Sequence, residues 1–208
     1  MNIFSVKQIF EEQINELWNS DKHREISFLN RGYALQNNIE LGSLLFVGIN
    51  PAYKNNDPNQ SSHFYDVELE GAVYQYFKKF QDISKKTNIK WTHIDLLFIR
   101  ETNQKNIEAI VQTQIGWDFC QKQLEISKQI IQETKPKIIV VSNAYARRLF
   151  GIYFKCSFDS NIGTFRIIEN EFLNNTPVFF TSMLTGQRAL DLGSYERLIW
   201  HINFVKDK

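Results

Sequence analysis

Asn50 is the first residue whose type and position suggest chemistry. It follows the apolar run 44–48, which ends in a glycine, and it precedes Pro51 and a polar segment. A buried parallel strand delivers side chains in this way to the carboxyl edge of its sheet. An asparagine before a proline is also a common way to open a turn. The local pattern leaves two interpretations open, a turn residue and a polar group directed into a pocket.

Asp95 and Asn143 are further polar residues at predicted strands. Asp95 interrupts the apolar run 93–99, and an unpaired buried carboxylate is costly, so it should meet a donor or lie at the solvent end of its strand. Asn143 follows a strand and precedes a helix, which favours a helix cap over a ligand contact. The four histidines lack metal-ligand spacing, so we predict no metal and no cofactor.

Several enzyme classes are disfavoured by the motifs that the sequence lacks. It has no phosphate-binding glycine loop, no dinucleotide-binding glycine pattern and no serine nucleophile elbow. These absences argue against nucleotide hydrolases, dinucleotide oxidoreductases and α/β-hydrolases.

Four short apolar strands are predicted to position the polar residues. They are residues 44–48, 91–99, 137–141 and 177–181. They alternate with helical patterns, and an amphipathic helix over residues 4–18 packs on the same core. Such strands form a parallel sheet covered on both faces, with their carboxyl ends at one edge. The polar loops that meet there, and predict a binding cleft, are 50–51, 100–104, 142–143 and 182–188.

Length and composition bound the class of protein. The 208 residues are enough for one core, and we expect residues 1–208 to form a single domain. The net charge of +1 does not indicate a nucleic-acid partner, although it is compatible with a local basic patch. Two cysteines, no membrane-length apolar run and no signal-peptide pattern predict a cytoplasmic protein without membrane contact.

Taken in order, four segments resemble motifs of the uracil-DNA glycosylase superfamily. Residues 48–51, Gly-Ile-Asn-Pro, match the first motif of its mismatch-specific thymine and uracil branch. Residues 95–100, 140–146 and 182–188 fall at the second-strand motif, the strand-to-helix segment and the last, duplex-contacting loop. The resemblance covers roughly residues 40–205. It implies a three-layer α/β/α sandwich with a small parallel four-stranded central sheet.

The resemblance also implies roles for individual residues. Asn50 would hold the attacking water, and Ala52, where the uracil-strict branch has a bulky tyrosine, would leave room for larger pyrimidines. Tyr53 or Phe64 would stack on the base, and the choice between them stays open. The residues that it assigns to catalysis are Asn50 and Ser182. Those that it assigns to substrate binding are Gly48, Ile49, Pro51, Ala52, Tyr53, Phe64, Asp95 and Asn143. Those that it assigns to nucleic-acid contacts are Arg100, Thr185, Gly186 and Arg188.

Three positions depart from the family pattern. Asp95 replaces the asparagine that usually recognises the base edge, so its ionised form would offer acceptors only and uracil would lose a donor. Ser182 stands where the most active branch has a histidine that stabilises the leaving base, although the mismatch-specific branch lacks that histidine too. Gly186 occupies the usual position of an apolar wedge, where Leu184 or Arg188 would have to substitute.

The resemblance predicts a monomeric, metal-independent enzyme that hydrolyses the N-glycosidic bond of a modified or mismatched base in DNA. A binding module that kept the cleft without the chemistry is the alternative, and Asp95 and Ser182 support it. A hydrolase of small molecules such as free nucleosides is a third interpretation. The enzyme interpretation requires Asn50, Asp95 and Ser182 to face one base-sized pocket.

Overall fold

The computed structural model describes residues 3–53, 62–67, 74–186 and 189–208. The strands within these ranges are β1 (Ile3–Ser5), β2 (Ala34–Gln36), β3 (Asn38–Glu40), β4 (Leu44–Gly48), β5 (His63–Tyr65), β6 (Trp91–Asp95), β7 (Ile138–Ser142), β8 (Cys156–Asp159), β9 (Thr164–Ile167) and β10 (Pro177–Thr181). The α-helices are α1 (Val6–Asn19), α2 (Lys78–Thr87), α3 (Gln104–Val111), α4 (Gln114–Thr134), α5 (Ala144–Tyr153) and α6 (Leu192–Val205). Short 3-10 helices are Asp21–His23, Leu29–Arg31 and Gln75–Phe77.

A six-stranded mixed sheet lies at the centre of the described structure, in the order β6-β4-β7-β10-β9-β8. Its first four strands are parallel and are the four predicted ones, so the α/β class is confirmed. The prediction of a four-stranded sheet is wrong in its strand number. β9 pairs antiparallel with the remaining edge of β10, and β8 pairs with β9. The hairpin satisfies the backbone groups of that edge and so extends the sheet.

Apolar side chains of the parallel strands alternate between two layers. Leu45 and Val47 point to one face of the sheet, where they join the buried side chains of α1, α4 and α5. Leu44 and Phe46 point to the other face, which α2 and α6 cover. Every residue of β4 and β7 is buried, as expected for parallel strands with helices on both sides.

The strand predicted over residues 91–99 ends early. β6 stops at Asp95, which therefore lies at the carboxyl end of its strand and not near its start. The chain continues toward β2, where the Ala34 N–H donates to the Phe98 carbonyl. Oε1 of the buried Gln123 on α4 accepts from the N–H groups of Phe98 (2.6 Å) and Ile99 (3.2 Å). The N–H groups of Phe98 and Ile99 thus pair with a side chain and not, as the apolar run alone would predict, with a neighbouring strand.

The predicted N-terminal helix is present with a shifted start. α1 begins at Val6 and not at residue 4, because Ser5 caps it through its Oγ, which accepts from the Gln8 N–H. Residues 3–5 instead form β1, which pairs antiparallel with β3. Among the described residues, no helix combines the length and apolar character needed to cross a membrane.

Candidate functional site

A cleft of about 500 Å³ opens at the carboxyl ends of β4, β6 and β7. β6 and β7 follow β4 in the sequence and lie on opposite sides of it in the sheet. The cleft therefore lies at the point where the strand order reverses direction. Its volume is within the range of small-molecule sites. The predicted site residues that line it are Gly48, Ile49, Asn50, Pro51, Ala52, Asp95, Arg100 and Asn143.

Backbone carbonyl groups hold the side chain of Asn50. Its Nδ2 donates to the carbonyl oxygens of Glu101 (2.6 Å), Pro51 (3.1 Å) and Ile99 (3.3 Å). These bonds use both amide protons, and within the described part of the chain Oδ1 receives no hydrogen bond. Asn50 therefore stabilises the turn, and its Oδ1 is the amide atom left to accept a hydrogen bond in the cleft.

Asp95 brings a buried carboxyl group to the cleft. Its side chain is 8% exposed, and none of the described residues donates a hydrogen bond to it. Gly48 lies opposite Asp95 in register, and a Cβ at Gly48 would collide with Asp95 Oδ1. Burial raises the pKa of Asp95 to about 8. The ionised, acceptor-only side chain is therefore the minor form at neutral pH, and the major form carries a proton that it can donate.

His93 is buried beside Asp95, with Nε2 3.8 Å from Asp95 Oδ1. The rings of Tyr76, Phe77 and Phe80 surround it at centroid distances of 5.9, 5.6 and 5.7 Å. Burial lowers the pKa of His93 to about 3, so the ring is neutral near pH 7. It supplies no positive charge that would favour ionisation of Asp95.

One side of the cleft is aromatic. β5 pairs parallel with β2 in a small sheet, and alternate residues of a strand point to opposite faces. His63 and Tyr65 consequently line the cleft, whereas Phe64 points to the core and packs edge-on against Tyr33 at 5.7 Å. Phe64 is therefore not the stacking face that the resemblance implied. The aromatic residues that line the cleft are Tyr65, Tyr74, Tyr76 and Phe77.

Tyr53, the other predicted stacking residue, does not line the cleft. Its ring contacts two guanidinium groups, with the Cζ atoms of Arg31 and Arg100 at 4.4 and 5.6 Å from the centroid. Thr102 Oγ1 accepts from the Tyr53 N–H (3.1 Å) and donates to its carbonyl (2.5 Å). Arg100 itself is 2% exposed and lines the cleft. A cation buried this deeply can meet a ligand inside the cleft but not a phosphate on an outer surface.

Asn143 caps α5, as its position between strand and helix predicted. Its Oδ1 accepts from the Tyr145 N–H (2.7 Å), and its Nδ2 donates to Gln104 Oε1 (3.1 Å). Its φ of 146° is strained for a residue with a Cβ. The cap and the hydrogen bond to Gln104 hold this backbone at the edge of the cleft. Ser142, the preceding residue, also lines the cleft.

The last predicted motif contributes Met183 to the cleft lining, whereas Ser182, Thr185 and Gly186 do not line it. Thr181 Oγ1 donates to the Ser182 carbonyl (2.8 Å) at the turn that follows β10. Asn50 and Asp95 thus share one cleft and Ser182 does not join them, so the requirement that all three residues face one pocket is not met. Arg188 lies outside the described residues.

Sequence reasoning missed the residues that form the walls of the cleft. His93 shares the face of β6 with Asp95, and His63 shares the face of β5 with Tyr65, so period-two spacing was the available signal. Glu101 was also missed. Its side chain is 5% exposed and forms an ion pair with Arg31 at 2.7 Å.

Within the described part of the chain, no group of three or more His, Cys, Asp or Glu side chains could hold a metal ion. No protein-family model matches the chain, and no curated protein matches it. The fold and the cleft define an α/β protein with a partly aromatic cleft at the carboxyl edge of its parallel strands.

Proposed function

We propose that this protein is a DNA base-excision glycosylase, which hydrolyses the N-glycosidic bond of a modified or mismatched base without a contribution from Ser182 to the cleft. The observation that carries the proposal is the orientation of Asn50. Because carbonyl groups occupy its Nδ2, its Oδ1 is left to accept a hydrogen bond from a water in the cleft. A water held in this way is directed for attack on the sugar.

The reaction needs little besides this water and a stabilised leaving base. The water oxygen bonds to the anomeric carbon of the sugar as the carbon–nitrogen bond breaks. One proton of the water passes to the departing base, and the other stays on the new sugar hydroxyl. The negative charge that develops on the base requires hydrogen-bond donors inside a water-excluded site.

The cleft fits a nucleotide that has been rotated out of a duplex. Its volume of about 500 Å³ accommodates a single base with its sugar. Tyr65, Tyr74, Tyr76 and Phe77 offer aromatic faces or edges to a planar ring. Enzymes that act on bases commonly hold the rotated base between such rings and hydrogen-bond its pairing edge.

The test is an excision assay with duplexes that carry uracil, hypoxanthine, xanthine or mismatched thymine, followed by alkaline cleavage of abasic sites. We expect product from at least one duplex, a loss of at least 100-fold in rate for Asn50→Ala, and no loss for the exposed control Asn174→Ala. Thermal denaturation of both variants separates loss of chemistry from loss of fold. Equal product from Asn50→Ala would remove this residue from the mechanism.

A binding module without catalysis is the second candidate, and the position of Ser182 favours it. Residue 182 does not bring a side chain to the cleft, so it does not stabilise a leaving base there. This candidate predicts salt-dependent DNA binding with no abasic product from any of the four duplexes.

A further inference from the structure

We propose that Asp95 binds the ligand as a neutral carboxylic acid and selects a base that presents an N–H group next to a carbonyl group. The acid hydroxyl would donate to the carbonyl of the base, and the acid carbonyl would accept from its N–H. The inference rests on the proposed function in taking the ligand to be a nucleobase. The bases of this class include uracil, thymine, hypoxanthine and xanthine. Guanine presents the same N–H and carbonyl pair with an added amino group, which gives a neutral acid no further hydrogen bond.

The first support is that Asp95 is buried in the cleft without a hydrogen-bond partner among the residues that the structure describes. Its side chain is 8% exposed, it lines the cleft, and within the described residues it receives no hydrogen bond. A buried polar group without a partner is costly, and a ligand that pairs with it removes this cost. The absence of a Cβ at Gly48 leaves the space that Oδ1 occupies.

The second support is the character of the groups around Asp95. On its own strand the neighbour is His93, which is neutral near pH 7 because it is buried among aromatic rings. Tyr76 approaches from the 3-10 helix before α2, and its interaction with the Asp95 charge raises the pKa of the tyrosine beyond the effect of burial. β4 and β7 present Gly48 and Ser142, neither of which carries a charge.

Among the described residues, the charged side chains that line the same cleft are Arg100 and Glu101, and Arg100 is not within ion-pair distance of Asp95. The pKa of Asp95 is raised to about 8 by burial, and none of the cations in the described part of the chain offsets that effect. At pH 7 the neutral form therefore exceeds the ionised form by about ten to one. A carboxylate would instead select an edge with two donors, such as that of guanine.

The neutral acid also gives the cleft a donor for the leaving base. When such a base departs, negative charge collects on its ring carbonyl oxygen, and a hydroxyl directed at this oxygen stabilises the charge. Asp95 would then supply the stabilisation that Ser182, outside the cleft, does not. This favours a base with a carbonyl over one with an amino group at the recognised edge.

The experiment measures binding of 2′-deoxyuridine, 2′-deoxyinosine, 2′-deoxycytidine and 2′-deoxyguanosine by calorimetry from pH 6 to 9. For the wild type we expect 2′-deoxyuridine or 2′-deoxyinosine to bind more tightly than 2′-deoxycytidine, and 2′-deoxyguanosine to bind no more tightly than 2′-deoxyinosine, with the affinity falling toward about tenfold per pH unit above pH 8. Asp95→Asn, which keeps a donor and an acceptor, should bind without this loss. Titration of the ligand's own N–H appears in both proteins and cancels in the comparison.

Asp95→Ala and the exposed Asp21→Asn complete the set. We expect Asp95→Ala to lose binding at every pH and Asp21→Asn to follow the wild type. Preference for 2′-deoxyguanosine or 2′-deoxycytidine, or the same pH profile for wild type and Asp95→Asn, would overturn the proposal. Binding needs no hydrolysis, so a pH-dependent affinity without excision would defeat only the glycosylase function. Excision with pH-independent binding would defeat only the role of Asp95.

Discussion

Removing the carboxylate of Glu101 should destabilise the protein and disturb the backbone that holds Asn50. The Glu101 carbonyl accepts the shortest bond of the Asn50 amide, at 2.6 Å. Its side chain is 5% exposed and accepts from Arg31 (2.7 Å), the Asn103 N–H (2.8 Å) and Asn106 Nδ2 (3.1 Å). The side chain thus fixes the position of a carbonyl group that orients Asn50.

The size of the effect follows from these partners. Glu101→Ala leaves Arg31 without its acceptor in a largely buried setting, which costs about 3–5 kcal/mol of unfolding free energy. Glu101→Gln keeps the shape and loses the charge, and should cost about 1.5–3 kcal/mol. Urea denaturation at pH 7 measures both values. The exposed Glu171→Gln serves as the control and should stay within about 0.5 kcal/mol of the wild type.

The dependence on pH supplies an independent check. Burial alone raises the pKa of Glu101, but hydrogen bonds from Asn103 and Asn106 and the charge of Arg31 outweigh it and hold the pKa below its usual value. A lowered pKa in the folded state means that the stabilisation is complete above the pKa of the unfolded chain, at about 4.3. It is lost as the pH falls through the folded-state pKa.

The difference in unfolding free energy between wild type and Glu101→Gln should therefore be constant from pH 7 to 6 and shrink below pH 4. A difference under 0.5 kcal/mol at pH 7, or one that grows on acidification, would refute the reasoning. If Glu101→Gln unfolds with the expected cost, its excision rate should fall more than its substrate affinity, because the water held by Asn50 is misplaced.

Three other substitutions test the packing around the cleft. Gly48→Ala should cost about 1–3 kcal/mol in urea denaturation, because its Cβ collides with Asp95 Oδ1 and lies 3.1 Å from a histidine nitrogen; an unchanged midpoint would contradict the close approach. Gln123→Leu leaves two buried N–H groups after β6 without an acceptor, at about 1–3 kcal/mol each, and should accelerate their hydrogen exchange. Asn143→Ala should lower the free energy of unfolding by about 1 kcal/mol, because it removes the capping bond from the Tyr145 N–H. Asn143→Gly should be the more stable of the two in thermal denaturation, since glycine relieves the strain at φ 146°, and the reverse order would contradict that strain.

Part of this architecture is visible in the linear pattern of residues. The runs 44–48, 137–141 and 177–181 are apolar because both faces of a parallel strand are covered, and each forms a strand of the central sheet. The amide of Asn50 is held mainly by the carbonyl groups of Glu101 and Ile99, which lie far along the chain, but the cap at Asn143 follows from local hydrogen bonding of a short polar side chain. The apolar runs and the cap depend on neighbours in the chain and can be predicted without the fold.

The α/β class, the four parallel strands and the edge at which the cleft lies can all be predicted from the amino-acid sequence, because hydrophobic periodicity and helix capping depend on residues that are close together in the chain. The path of the chain after β6 depends on tertiary contacts, since Leu96 and Leu97 donate to the Gly48 and Ile49 carbonyls and Gln123 from α4 accepts from Phe98 and Ile99. Tertiary contacts also turn Phe64 toward the core and bury Asp95, which raises the pKa of its carboxyl group. The burial of a carboxyl group and its neutral surroundings arise from residues that are far apart in the sequence. They therefore cannot be predicted from residue spacing.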